Sequence, residues 1–428
     1  WIENDMSVSG DVDHPVVKGN FLAWDGSIKG ELFQSISAGY DYDSSGLKLS
    51  NGLAYIYDGT AMVNGVVRPD GLDLQTSFND ISIERMLPQS GITGKVSLLS
   101  RVKGTMDNPQ FDGTAASREI HVGGSVVRVV STGVHYRDHV VTLDEGSFRQ
   151  QGGSFTWKGN YNVENSSIDG TLKFDNWNAK EILRMLKVTS DAVDIPVEGG
   201  MRISGTLDNP SVDFKANILG GHLGATSVGD GVIDFSYMNK ALSIRKMNIP
   251  VGNGVLAAQG GMNSQGDLDI QFAARDMDVS WIPSVLNKKD VKIGGTLTAG
   301  VYLSGNKTKP VADISIGVDH PSYGDISFDD FSLMANMSDN VFILQNALIT
   351  RDAYKASMKG TIPGAMFGLP VVSDVPIDLD INLDHADMNI LALFSKAVTS
   401  ANGPIKGHLK VTGAYNDPMI FGGVTIKD

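Results

Sequence analysis

The places where this sequence could do chemistry are few. Two histidines stand four apart in HYRDH at 135–139, and four oxygen-bearing residues alternate along DLDINLDH at 378–385. His135 and His139 would share one face, and could share one metal ion, if the stretch were helical. The flanking STGV and VVTLD read instead as strands around a hairpin tip. In a strand, i and i+4 lie roughly 13 Å apart, too far to hold a single ion. Asp378, Asp380, Asn382 and Asp384 copy the opening of a calcium loop, but the sixth position, which needs Gly for the sharp turn, is Leu383. Alternation with Ile and Leu makes them one wet face of a strand. Ser45 and Lys48 in SGLK fit Ser-x-x-Lys, yet a strand sends them to opposite sides and no partner motif follows. A nucleophile elbow, a phosphate loop and a dinucleotide fingerprint are all missing. The expectation is a protein that is not an enzyme and needs neither metal nor cofactor.

The chain that must position any other function is 428 residues long, acidic at a net charge of −14, free of cysteine and rich in glycine, with 49. An acidic chain without a Lys/Arg cluster is a poor partner for nucleic acid. Its contacts with lipid must use apolar surface rather than charge. No run of eighteen apolar residues and no signal peptide occurs. The chain opens at Trp1 and closes at Asp428 just after the strand-like MIFGGVTI, and we read it as a fragment of something longer.

One motif recurs along the whole length. VSGDVDHPVVKG begins at Val8, VKGTMDNPQFDG at Val102, ISGTLDNPSVDF at Ile203, LSGNKTKPVADI at Leu303 and VTGAYNDPMIFG at Val411. Gly10, Gly104, Gly205, Gly305 and Gly413 are spaced by 94, 101, 100 and 108 residues, and each precedes a Pro by five. Gly permits the positive φ that ends a strand, and Asn, Asp and Pro set a turn. The motif is a strand–turn–strand corner in a repeat of about a hundred residues. The units run 1–93, 94–194, 195–294 and 295–402, with a fifth started at 403–428. A second landmark keeps the same period: short helical patterns follow Ser82, Asn178, Asp278 and Asp387, each a plausible N-cap. In NAKEILRMLKV, Ile182, Leu183, Met185 and Leu186 make the apolar side against Lys180, Glu181, Arg184 and Lys187. Trp177 and Trp281, at helix starts, anchor helix to sheet, and Phe155 and Trp157 pack as core.

The remainder alternates as antiparallel strands do, with one dry face and one wet face. Leu98, Ile203, Leu409 and Val411 lie on dry faces around the corners. GTLKFD supplies Leu172 and Phe174, and GDLDIQFAA supplies Leu268, Ile270 and Phe272. GTLTAGVYLSG supplies Leu297, Val301 and Leu303, and VPIDLDINLDH supplies Ile377, Leu379, Ile381 and Leu383. Each unit is expected to hold about eight strands, a short helix and the corner, or some thirty-five strands along a sheet of order 150 Å. Four short helices cannot cover such a sheet. Either it curls on itself or its dry face lines something.

These corners, followed by alternating strands and separated by capped helices, resemble the TamB/AsmA-like family of diderm bacterial envelope proteins. LSGNKTKPVADI departs from the others, with Lys309 before Pro310 and no acidic residue in the turn. The resemblance implies a mainly β fold: a long twisted antiparallel sheet curled into a U-shaped hydrophobic groove, with short amphipathic helices between repeats. It also implies a bridge-like lipid transfer protein of the periplasm, anchored in the inner membrane. Such a protein carries phospholipid acyl chains between inner and outer membranes, with an outer-membrane β-barrel assembly protein of the Omp85 type as partner. The sixteen dry-face residues named above would line that groove, and a charge at one of them (Ile270→Asp) would obstruct passage with the fold intact. The alternative is a structural scaffold aiding outer-membrane protein assembly, or a closed β-solenoid stalk.

Overall fold

The computed structural model describes every residue except 29, 87, 89–90, 151, 186–188, 287, 289, 368, 371–374, 388–403 and 427–428. The protein is mainly β, a long antiparallel sheet with 28 strands, three short α-helices and one 3-10 turn among the described residues. The sheet is not closed into a barrel. By contact the chain forms two compact units, one of Trp1–Thr189 with Val197–Val212, the other of Ser190–Pro196 with Asp213–Asp428.

Between the first Gly–Pro corner and the second there are six strands, not eight: Pro15–Ile28, Glu31–Asp43, Gly46–Ile56, Gly59–Arg68, Gly71–Ser82 and Ile92–Gly104. These run 10 to 14 residues, well beyond the usual five or six. The reason is β-bulges. Where the alternation slips a step the sequence suggests a strand end, but the strand continues past the extra residue.

One such bulge repeats with the hundred-residue period. Pairing shifts between Phe78 and Ile81, between Ala274 and Met277, and between Leu383 and Ala386. The third residue of each tetrad, Asp80, Asp276 or His385, has φ near +50°. Asn176 does the same between Phe174 and Trp177, whose rings touch at 6.4 Å. Asp, Asn and His tolerate that conformation better than most residues. The result keeps two apolar residues three apart on one face, immediately before each helix.

The corners are as expected in backbone and different in detail. All five glycines have φ between +73° and +110°. At Gly205 an added Cβ would lie 2.6 Å from the Asn209 carbonyl oxygen. Gly104 pairs across the turn with Pro109 and Gly305 with Pro310. The turn is tied by threonine in two copies: Thr105 Oγ1 accepts the Asn108 amide at 3.1 Å, and Thr206 Oγ1 accepts that of Asn209 at 3.2 Å. Asn108 is thereby free to donate its carboxamide to Asp138 in the neighbouring turn, at 3.1 Å. Because strands alternate in direction, all corners of a unit fall on one edge and its α-helices on the other.

Ser82 accepts the Arg85 amide at 3.4 Å and Asn178 that of Lys180 at 3.0 Å, so both cap as expected. Asp278 does not cap its helix. It accepts from Ser280, and the helix Ile282–Val285 starts at Trp281 with Pro283 in its first turn. The helix expected after Asp387 lies outside the described residues. Glu181 corrects the amphipathic reading of Ala179–Met185. Placed on the polar side by periodicity, it is only 1% exposed, accepts the Ser125 hydroxyl at 2.7 Å, and pairs with Arg184 at 2.7 Å. With the Gly124 amide on the Arg184 carbonyl, this bolts the helix to an adjacent hairpin. A carboxylate can be buried there because both charge and lone pairs are met.

Candidate functional site

Cross-strand partners point to the same side of a sheet, so the register turns single residues into rows that run perpendicular to the strands. In the second unit one row reads Ile233, Met247, Ala258, Phe272, Val301, Ile314, Ala335, Leu344, Gly360, Leu379, Val411 and Ile420. It crosses twelve strands without a polar side chain. A parallel row joins Ile270, Leu303, Ala312, Met337, Phe342 and Ile362. Another joins Ala274, Ala299, Ile316, Leu333, Ala347, Met358, Ile381 and Leu409. A fourth joins Met277, Leu297, Val318, Phe331, Ile349, Ala356 and Leu383. Leu268 and Ile377 lie two residues from Ile270 and Leu379, on the same side.

The first unit repeats the pattern less purely. Ala23, Ile36, Ala54, Ala61, Phe78, Leu98 and Ala115 form one row. Tyr40, Leu49, Gly65, Leu74, Val102, Phe111, Tyr136, Val141, Tyr161 and Ile168 form another. Between them Thr76 and Ser100 face each other, their hydroxyls bonded at 2.5 Å. Leu172 pairs with Trp157 and Phe174 with Phe155. Ile203 packs over Gly170, where an added Cβ would lie 3.4 Å from its Cγ2.

All sixteen sequence-derived residues thus fall on the apolar side of their own unit, but not all present surface. Phe174, Ile270, Ile377, Ile381 and Leu383 are buried. Phe174 belongs to an aromatic cluster with Phe148, Phe155 and Trp177, ring centroids 5.1–6.4 Å apart, in which Trp177 packs against rings from three strands. Leu383 and Ile381 form a sealed cluster with Ala356, Ala386 and Ile405. The others are half-buried, and Phe272 is the most open at 36%. Charging Ile270, which is 7% exposed, would therefore bury a carboxylate and damage the fold, so Phe272 is the position to charge.

The opposite face is a lattice of charge. Arg101 meets Asp73 through two 2.8 Å bonds, which hold the Asp73 carboxyl below its ordinary range. Arg245 joins Asp213 and Asp234. The residues that copy a calcium loop pair instead with the next strand: Lys410 with Asp378 and Asp380, Lys406 with Asp384. His135 bridges Asp112 at 2.6 Å and Asp144 at 2.8 Å, and these hydrogen bonds raise its pKa. His139 sits in the hairpin turn with φ +65°. Among the described residues no three His, Asp or Glu side chains could hold a metal ion, and no helix is long and apolar enough to cross a membrane.

Fold and faces define an antiparallel β-sheet protein whose two units each have one apolar and one ionic side. No family model, curated protein or solved structure matches the chain.

Proposed function

We propose that the chain is a section of a non-enzymatic lipid conduit, carrying phospholipid acyl chains along its apolar face between the inner and outer membranes of a diderm bacterium. The observation that carries this reading is the apolar row through Phe272, unbroken over twelve strands and accessible to solvent at nine of them, with Ala258, Ala335 and Leu344 buried. Each methylene taken from water contributes about 0.8 kcal/mol. Successive strands offer near-equivalent contacts about 4.8 Å apart, so a hydrocarbon tail can shift from one to the next without leaving apolar surface. The ionic face keeps the sheet wetted, and headgroups stay in water. Residence in the periplasm, an inner-membrane anchor and an Omp85-type partner belong to the same proposal and rest on the resemblance of the corner motif to TamB/AsmA-like proteins.

Mass spectrometry of organic extracts from the purified, detergent-free protein tests it. Phospholipid at one or more molecules per chain is expected. Folded protein that yields no lipid, and takes up none from phospholipid vesicles, contradicts the proposal.

A further inference from the structure

The ionic face of the second unit is interrupted by a depression of ≈ 510 Å³ on the strands Leu268–Asp278, Ile293–Asn306, Lys309–Tyr323 and Asp330–Ser338. We propose that this depression binds a neutral saccharide of one or two rings. Its floor is Ala273, Gly300 and Ser315, which are direct cross-strand partners. Its wall is the adjoining row of Gln271, Tyr302, Asp313 and Asn336. Both rows alternate with Phe272, Val301, Ile314 and Ala335, which also border the depression while their side chains belong to the apolar row, so the depression backs directly onto that row.

The floor holds an unexplained glycine. Gly inside a strand destabilises it and is usually retained for a positive φ or for a close neighbour. Gly300 has neither: its φ is outside the left-handed region, and an added Cβ would meet nothing within 4 Å. What the missing side chain preserves is open space above the sheet, into which a ligand can approach.

The wall selects the ligand. Gln271 accepts from Gln259 at 3.1 Å, Asn336 donates to Asp313, and Gln345 donates to Asn336. These two separate sets of bonds fix the carboxamides, while each NH₂ keeps a second proton and each carbonyl a second lone pair for hydroxyl groups. Tyr302 and Met334, 37% and 54% exposed, supply apolar surface against which the C–H face of a pyranose can lie. The charge of Asp269 and its hydrogen bond to the Tyr302 phenol raise the phenol pKa, so the hydroxyl donates to Asp269 and offers a ligand its oxygen lone pair and the ring face. The only charged residue in the lining is Asp313. An anionic ligand would meet a carboxylate and no cation; a neutral polyol meets donors, acceptors and an aromatic face.

The experiment is ligand-observed NMR and calorimetry on the full chain with maltose, cellobiose and N,N′-diacetylchitobiose, using glucose 6-phosphate as the charged counterpart. At least one neutral disaccharide should bind with a Kd on the order of 1 mM or tighter, and glucose 6-phosphate at least tenfold more weakly. Gly300→Val should weaken binding at least tenfold with an unchanged or higher Tm, since a β-branched side chain suits a strand and enters open space. Should that variant unfold, Gln345→Ala on the exposed rim provides the same reading, with a loss of at least threefold. Binding of none of the three sugars, tighter binding of the phosphate, or wild-type affinity in the folded variants overturns the proposal. Val411→Asp, in the same apolar row but outside the lining of the depression, should leave sugar binding unchanged, which separates failure here from failure of the lipid reading.

Discussion

Phe272→Asp places a charge in the middle of the longest apolar row, between Ala258 and Val301. Phe272 is already 36% exposed, so the loss of its remaining burial costs about 1–2 kcal/mol, within what a domain tolerates. The carboxylate stays hydrated, and the sheet retains its register. For a hydrocarbon tail the effect is larger. One strand spacing of about 4.8 Å corresponds to roughly four methylenes, and loss of their apolar contact costs about 3 kcal/mol. Occupancy at that step should fall on the order of 100-fold. The assay is transfer of a fluorescent phospholipid between donor and acceptor vesicles in the presence of the protein, with Phe272→Leu as the size control. Transfer should drop at least tenfold for Asp and less than twofold for Leu, with Tm lowered by only a few degrees. Unchanged transfer in a folded Phe272→Asp protein would refute the reasoning that tails move along this row.

Three further outcomes follow from the geometry. Gly205→Ala should lose about 1–3 kcal/mol in denaturant unfolding, because φ of +95° and a 2.6 Å approach to the Asn209 carbonyl leave no room for a methyl group, whereas Gly300→Ala should lose nothing. Ser125→Ala should cost about 1.5–3 kcal/mol by removing the hydroxyl that Glu181 accepts while burying its charge; a neutral result would show the bolt between helix and hairpin to be dispensable. The His135 pKa is raised by its hydrogen bonds to Asp112 and Asp144, so its stabilisation is complete below the unfolded value of about 6.5 and is lost as pH rises through the folded value. A His135→Gln variant should flatten that part of the Tm-versus-pH curve, and the His135 imidazole should titrate above 6.5 by NMR.

Much of the fold is legible in residue types. The five Gly–Pro corners announce themselves because few residues adopt φ near +90° and because Pro five positions on fixes the return strand. Caps at Ser82 and Asn178 follow from side-chain oxygens that can reach a first-turn amide. The dry face is legible too, since strict alternation at Leu268–Phe272 and Ile377–Leu383 admits one arrangement in a sheet. Strand number was obscured by the bulges, which break the period of two without ending the strand. Their signal is present in FNDI, FDNW, ARDM and LDHA, where an αL-tolerant residue stands third between two apolar ones. Glu181 was misplaced because helical periodicity describes one helix and cannot see Ser125, 56 residues earlier, arriving as its partner. Which apolar residues are buried and which open also depends on what the paired strands bring: Ile381 meets Ala356 and Ile405 in a sealed cluster. That is why Ile381 and Phe272, alike in sequence, differ in exposure.

The central claim concerns one side of the sheet, and Leu98 and Leu99 separate the two sides most directly. Leu98 lies in the apolar row opposite Phe78 and Ala115, while Leu99, 69% exposed, faces the ionic side opposite Ser77 and Thr114. A photoreactive amino acid installed at each in turn, with irradiation in phospholipid vesicles, should give lipid adducts at 98 and at most background at 99. Equal labelling at the two positions, or labelling at 99 alone, would contradict an acyl path on the apolar face.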